Sequence, residues 1–292
     1  MVPDERSYAL IPEPPRLKSL RLTLVKAIPK IPNDRATLKL LENKSLGLLL
    51  IDFMNWQGRF VGVRRRKVVI DPEMRGDPKC AEHCVAVEAL FKKVERGEDL
   101  TAHLSILPHT QGVAARAGKQ GATAEDKWAD KDFILHAMNL HHFHLGLRSE
   151  KRGHVERTNE VLFAEVTRDE FRAIGIFDHS VFEHGSPERH KLMQRRARID
   201  FRGHPPGTVL LSRPITTSCH TLHGNDHAQR CMKWVRDIEP KLDDRAFVEG
   251  LFRDHDLEAP RRPDFIWGFN HLDFMAFDKV SRRGFIYAQG WN

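Results

Sequence analysis

Residues 139–146 read NLHHFHLG and place three histidines within four positions. In an extended strand the side chains alternate, so His142 and His144 share one face and stand about 7 Å apart. Phe143 and Leu145 lie on the other face, which we expect to turn toward the core. Two imidazoles at this spacing can act as acid and base, as metal ligands or as phosphate-binding cations.

Two further strands are predicted to follow, VLFAEV (161–166) and EFRAIGIF (170–177), joined by a tight turn. His179 comes directly after the second of them, Arg172 lies within it, and Arg157 lies in the loop that precedes the first. If the three strands form an antiparallel meander, we expect these side chains to lie beside His142 and His144. The sequence therefore predicts one concentrated site for acid–base chemistry.

A helix followed by three antiparallel strands with basic and histidine side chains resembles RelE-type toxins of the barnase–EndoU–colicin E5–RelE group of ribonucleases. The resemblance covers about residues 126–183 and rests on HHFHL and VLFAEVTRDEFRAIGIFDHSVF. It implies RNA cleavage without a metal ion, by attack of a 2′-hydroxyl on the adjacent phosphate. It also implies His142 or His144 as the base, His179 as the acid, and Arg157 or Arg172 as stabiliser of the pentacoordinate phosphate.

Two arrangements could hold a divalent metal instead. His271 and Asp273 repeat the alternate spacing of His142 and His144, and the four side chains would form a site for metal-assisted phosphodiester hydrolysis if their strands met. A zinc site is the second arrangement, formed by residues at four-residue intervals: Cys219, His223, His227 and Cys231. Because GND (224–226) is typical of a loop and helix start, we expect a helix to begin at Asn225 or Asp226 and to separate these ligands. The expectation is therefore a protein without a bound cofactor.

A formal net charge of +7 favours a polyanionic partner, and RNA is the partner we expect. The basic residues that could bind phosphates fall into three clusters: Arg64, Arg65, Arg66 and Lys67; Arg116 and Lys119; Arg195, Arg196 and Arg198. The alternative to an enzyme is a nonenzymatic module that binds nucleic acid or assembles with a protein through these clusters.

The pattern of elements predicts an α+β fold with mostly antiparallel sheets and packed helices. We expect a basic N-terminal α+β region (1–125), a histidine-strand α+β domain (126–205) and a C-terminal α+β region (206–292). Among the single elements, we predict a helix over 40–56, two strands within 58–72 and a polar excursion over 184–206. Asp77 followed by Pro78 predicts a helix start, and Gly97 the end of that helix.

The chain has no apolar run of membrane-spanning length and no secretory signal pattern, and its four cysteines are too few for a disulfide framework. A cytoplasmic location is the expectation. The sequence as a whole favours an endoribonuclease of toxin or phage-defence type, with a protein partner such as an antitoxin as one further expectation.

Overall fold

The computed structural model describes residues 13–114, 134–148, 150, 153–209 and 221–292. Of the predicted site residues, Arg116, Lys119 and Cys219 lie outside these ranges. The described helices are α1 (Pro15–Ala27), α2 (Arg35–Glu42), α3 (Leu46–Gln57), α4 (Pro72–Arg75), α5 (Pro78–Glu82), α6 (Cys84–Arg96), α7 (Pro187–Phe201), α8 (Leu222–Ile238) and α9 (Arg245–Arg253). None of these helices has the length and apolar character needed to cross a bilayer.

The strands form two larger sheets and one short parallel pair. They are β1 (Lys30–Ile31), β2 (Lys67–Ile70), β3 (Val113–Ala114), β4 (Leu140–His144), β5 (Glu160–Val166), β6 (Glu170–Asp178), β7 (Phe265–Asn270), β8 (Asp273–Asp278) and β9 (Arg283–Ala288). The first sheet has the order β2-β6-β5-β4, and the second the order β7-β8-β9. Neighbouring strands are antiparallel except for β2 with β6 and β1 with β3. The predicted α+β class is confirmed.

Both faces of the four-stranded sheet are covered. On the face that we call the α6 face, Phe143, Leu162 and Ala164 pack with Leu90 and Val94 of helix α6. On the opposite face, called the α7 face, apolar side chains of the sheet pack with helix α7 and the segment before it: Val161, Phe163, Ile174, Phe177, Val181 and Leu192. Because both faces are buried, strands β5 and β6 read as nearly continuous apolar runs.

The three-stranded sheet packs with helices from both ends of the chain. Its core combines Leu20 and Leu49 of the first helices with Val235 of α8 and with Trp267 and Phe274 of the sheet. The expected boundaries after residues 125 and 205 therefore do not separate the cores, since residues 20–54 share one core with residues 228–288.

Local capping explains where several helices begin and end. The Asp77 carboxylate accepts the backbone N–H of Lys79, which confirms the predicted helix start. The single helix expected from Asp77–Pro78 to Gly97 is corrected, because α5 is short and α6 follows it after a break at His83. Gly97 ends α6 in the left-handed conformation with φ of 72°, as its position in the sequence predicts.

The single helix expected over 40–56 and the two strands expected within 58–72 are corrected. The first is two helices, because the Ser45 hydroxyl accepts the N–H of Leu48 and begins α3. The second segment contains one strand, β2. The residues before it do not form a strand, and the buried Arg66 guanidinium donates to the carbonyl oxygens of Gly62 and Arg64 there.

The other two corrections concern the second half of the chain. Residues 187–201, expected within a polar excursion, form helix α7, which Ser186 caps by accepting the N–H of Arg189. Helix α8 begins at Leu222 and not at Asn225 or Asp226, because the Thr221 hydroxyl caps it. Gly224 lies in the first turn of this helix, so the sequence GND (224–226) does not mark a loop here.

Candidate active site

The histidines of β4 divide between the two faces of the sheet as the alternation predicts. His142 and His144 point to the α7 face, next to Phe163 and Phe182, while His141 and Phe143 lie on the α6 face. The face of His142 and His144, opposite the one expected to turn toward the core, is covered too, because helix α7 and the turn after β6 pack on it. His142 is half-buried and His144 is 3% exposed.

Four of the predicted catalytic side chains lie together at one end of the sheet. The rings of His142 and His144 are 6.0 Å apart, and the ring of His144 stacks against that of His179 at 5.8 Å. The guanidinium of Arg157 contacts Nε2 of His144. His144 stands in register with the first residues of β5, and His179 directly follows β6, so the meander brings the ends of three strands to one place.

Arg157 supplies the positive charge of this group. Its Nη1 atom faces Nε2 of His144, and since a guanidinium can only donate, this imidazole nitrogen must accept. Partial burial lowers the pKa of Arg157 from its usual value, while Glu150 raises it, and an arginine stays charged throughout the neutral range. Within the described residues no carboxylate forms an ion pair with Arg157, and its side chain reaches the surface.

His179 is oriented by the backbone. Its Nδ1 lies 2.6 Å from the carbonyl oxygen of Asn159, so Nδ1 carries a proton and donates it. Nε2 is then the nitrogen that can exchange a proton with a bound molecule. Neighbouring Asp178 caps the following turn by accepting from Ser180, which fixes the chain at this point.

Arg172 does not join the group. It stands in register with Glu165, which pairs with Leu140, four residues of strand rise (about 13 Å) from His144 along the strand direction. Its guanidinium forms an ion pair with Glu170 at 2.7 Å. The prediction that Arg172 stabilises a phosphate at the histidines is therefore corrected.

No protein-family model, curated protein or solved structure matches this chain. The site must be interpreted from its own residues.

The predicted four-ligand metal site does not form. His271 lies on the α6 side, with Nδ1 2.8 Å from the amide nitrogen of Gln57 and Nε2 2.7 Å from the amide oxygen of Asn292. Asp273 is engaged by Arg64 at 3.1 Å and by Arg168. His142 and His144 lie on the α7 face, so the sheet separates the two pairs. In the described ranges no three histidine, cysteine or acidic side chains meet in a way that could hold a metal ion.

Two of the four predicted zinc ligands are buried in the core of the second sheet. His227 is fully buried, and its Nε2 lies 2.9 Å from the carbonyl oxygen of Leu272. Cys231 is also fully buried, and burial raises the pKa of its thiol to about 12. The ring of His223 packs against Trp291 at 4.7 Å. With Cys219 outside the described residues, nothing brings the remaining three to a common metal position.

Most of the predicted phosphate-binding arginines are used inside the protein. Arg195 is buried and donates to the carboxylate of Asp77 at 2.6 Å, and buried Arg196 forms an ion pair with Glu165 at 2.9 Å. Arg198 is exposed but forms an ion pair with Glu73 at 2.6 Å. The run QRRAR therefore attaches helix α7 to the acidic residues of the α4–α5 segment and of β5, which corrects the expectation of an exposed basic strip.

The first basic cluster is divided in the same way. Arg66 is buried and donates to the carbonyl of Thr167 at 2.7 Å, and burial lowers its pKa to about 10. Arg64 binds Asp273, whereas Arg65 and Lys67 are exposed. Of this cluster, Arg65 and Lys67 remain as candidate contacts for nucleic acid.

Sequence reasoning missed His103 and Lys93. His103 is 4% exposed, and its Nδ1 lies 2.9 Å from the carbonyl oxygen of His144. Lys93 Nζ lies 3.0 Å from the other ring nitrogen of His103. No local pattern predicts this contact, because His103 and His144 are 41 positions apart and Lys93 is linked to β4 only through His103.

Proposed function

We propose that the protein is a metal-independent endoribonuclease that uses His142, His144, His179 and Arg157. The observation that supports this most strongly is the meeting of three imidazoles and one guanidinium at the ends of β4, β5 and β6. Acid–base groups that can give and take a proton, next to a cation for a phosphate, are an adequate minimal set for phosphodiester transfer.

In this proposal the guanidinium of Arg157 binds the scissile phosphate, and His144 orients it through Nε2. His142 accepts the proton of the ribose 2′-hydroxyl, whose oxygen attacks phosphorus. Nε2 of His179 donates a proton to the departing 5′-oxygen, while Arg157 stabilises the negative charge of the pentacoordinate phosphate. The products are a 2′,3′-cyclic phosphate and a 5′-hydroxyl, and the bond from phosphorus to the 5′-oxygen is the one that breaks.

The resemblance to RelE-type ribonucleases stays a prediction, and so do a role in toxicity or phage defence, a cytoplasmic location and an antitoxin-like partner. The proposal rests on the grouping of side chains and on the chemistry of their ring nitrogens. A nonenzymatic binding role has less support, because Arg66, Arg195 and Arg196 are buried in internal contacts.

The test is cleavage of end-labelled single-stranded RNA by the purified protein in EDTA. The double variant His142→Ala/His144→Ala is expected to cut about 10²- to 10⁴-fold more slowly. His204→Ala, which removes an exposed histidine elsewhere, is the matched control and should cut like the wild type. An RNA with a 2′-deoxy sugar at the cleavage position should resist the enzyme.

Three outcomes would contradict the proposal. Cleavage that needs added magnesium or zinc would favour a metal-dependent nuclease. Undiminished cleavage by the double variant would place the reaction elsewhere. Binding of RNA without any cleavage would favour the nonenzymatic alternative.

A further inference from the structure

A short 3₁₀ turn, Thr101–His103, lies along the outer edge of strand β4, which is the last strand of the four-stranded sheet. It contacts the reactive end of the meander in two places. His103 Nδ1 donates to the carbonyl oxygen of His144 at 2.9 Å, and the carbonyl oxygen of Ala102 accepts the N–H of Val155 at 3.0 Å. Val155 is two residues before Arg157. The same turn therefore holds the backbone next to Arg157 and the backbone of His144.

The roles of the two ring nitrogens of His103 are fixed by their partners. Lys93 Nζ lies 3.0 Å from Nε2, and an ammonium group can only donate, so Nε2 accepts and the ring proton resides on Nδ1. Burial lowers the pKa of His103, and the positive charge of Lys93 lowers it further, although the hydrogen bond to His144 acts in the opposite direction. The neutral ring with a proton on Nδ1 is the form that satisfies both the His144 carbonyl and the Lys93 ammonium group.

We propose that Lys93 and His103 are positioning residues for His144 and Arg157, an inference that rests on the proposed ribonuclease function. Lys93 holds the Nε2 side of the His103 ring, and the Nδ1–H of His103 fixes the last peptide of β4. This peptide sets the direction in which the His144 ring meets the guanidinium of Arg157. Neither Lys93 nor His103 touches the substrate.

Two substitutions at His103 distinguish the role of the Nδ1 donor from that of Nε2. His103→Asn places an amide N–H close to the position of Nδ1, whereas His103→Gln places its amide near Nε2 and leaves the His144 carbonyl without its donor. His103→Leu removes both. The ¹⁵N resonances of the His144 ring, followed by NMR at neutral pH, report the contact directly and need no substrate.

The expected result is that His103→Asn keeps the wild-type His144 resonances, whereas His103→Gln and His103→Leu shift them. For RNA cleavage, kcat should fall roughly 10- to 100-fold in the last two variants, with KM within about twofold, because misplacement of the pair affects the reaction more than binding. Equal effects of Asn and Gln, or unchanged His144 resonances in His103→Leu, would overturn the proposal.

Lys93→Met keeps the test decisive if His103→Leu does not fold. Without the ammonium group Nε2 of His103 loses its donor, so the ring is held only through the His144 carbonyl, and the resonances of both rings should shift. Unchanged resonances of both rings would overturn the proposal. If the wild type cuts no RNA, the proposed function fails, while the NMR comparison still shows whether Lys93 and His103 position the His144 ring.

Discussion

His141 lies buried on the α6 face of strand β4, near Arg66, with Nε2 3.1 Å from the carbonyl oxygen of Gly58. One residue further, on the α7 face, His142 meets the ring of His144 edge to face. His144 in turn stacks on His179 and contacts the surface-reaching Arg157. The residue type is the same on both faces, but the partners differ. Backbone and amide groups hold the histidines of the α6 face, whereas the rings of the α7 face meet each other and a cation. The surroundings, and not the residue type, therefore determine whether a histidine ring is held by backbone and amide groups or faces other rings and a cation.

The largest expected effect is a loss of free energy of unfolding in acid, caused by the buried histidines of the α6 face. Burial lowers the pKa of His141 to about 4 from the 6.5 of an exposed histidine, and nearby His271 and Arg66 contribute to the same shift. Burial also lowers the pKa of His271 to about 4, with Arg66 and Arg64 acting in the same direction and Asn292 and Asp273 opposing it.

The unfolded chain binds these protons first, so the stability from both histidines is complete above pH 6.5 and is lost as the pH falls toward 4. The loss should be on the order of 3 kcal/mol per histidine by pH 4. Urea unfolding at pH 7, 6 and 5 measures it. His271→Asn should flatten the decline, while His204→Ala should leave it unchanged. A free energy of unfolding that is constant between pH 7 and 5 would contradict the assignment of neutral, buried histidines to this face.

The α7 face can be tested by its two arginines. Arg157→Ala should lower kcat/KM for RNA about 10²- to 10³-fold, as expected when one donor to a developing negative charge is removed. Arg172→Ala should change it less than about threefold, because its guanidinium pairs with Glu170 away from the histidines. Steady-state cleavage in EDTA compares the two, and a larger loss in Arg172→Ala would break the distinction drawn from the structure.

The packing behind the α7 face depends on Gly175 in strand β6. A Cβ atom at this position would clash with the guanidinium of Arg195, which is held by Asp77 and by the carbonyl oxygen of Ile174. Gly175→Ala should therefore separate a buried ion pair and lower the free energy of unfolding by about 2–4 kcal/mol.

Gly268→Ala in β7 is the matched control, since a Cβ there meets no atom within 4 Å. Urea denaturation of both variants gives the comparison. Equal stabilities for the two variants would mean that Arg195 can move away without cost.

The smallest expected loss of stability comes from the exposed ion pair between Arg198 and Glu73, which lies next to the buried pair of Arg195 and Asp77. Arg198→Ala removes the ion pair with Glu73, whose two side chains are 58% and 36% exposed. Such a pair contributes below about 1 kcal/mol, and this contribution should fall further in high salt. Thermal unfolding at low and high salt measures it. A loss as large as that of Gly175→Ala would show that the exposed pair is as important as the buried one.

Local patterns in the sequence determined several parts of this protein. The alternation of residues 140–146 predicted β4, the apolar runs 161–166 and 170–177 predicted β5 and β6, and the Asp77–Pro78 pair predicted a helix start. The same alternation placed His142 and His144 on one face and His141 on the other. His179 and Arg157 were predicted to join them because short connections make consecutive strands antiparallel neighbours.

Only the tertiary structure determined which charged side chains are exposed and which are buried in ion pairs. The run QRRAR looks like a surface strip in sequence, yet Arg195 and Arg196 are buried against Asp77 and Glu165. His103 and Lys93, and the burial of His141 beside His271, depend on contacts between distant parts of the chain in the same way. Periodicity and capping are local properties that a short stretch carries by itself. The partner of a buried charge is set by how separate segments pack, and no local pattern encodes it.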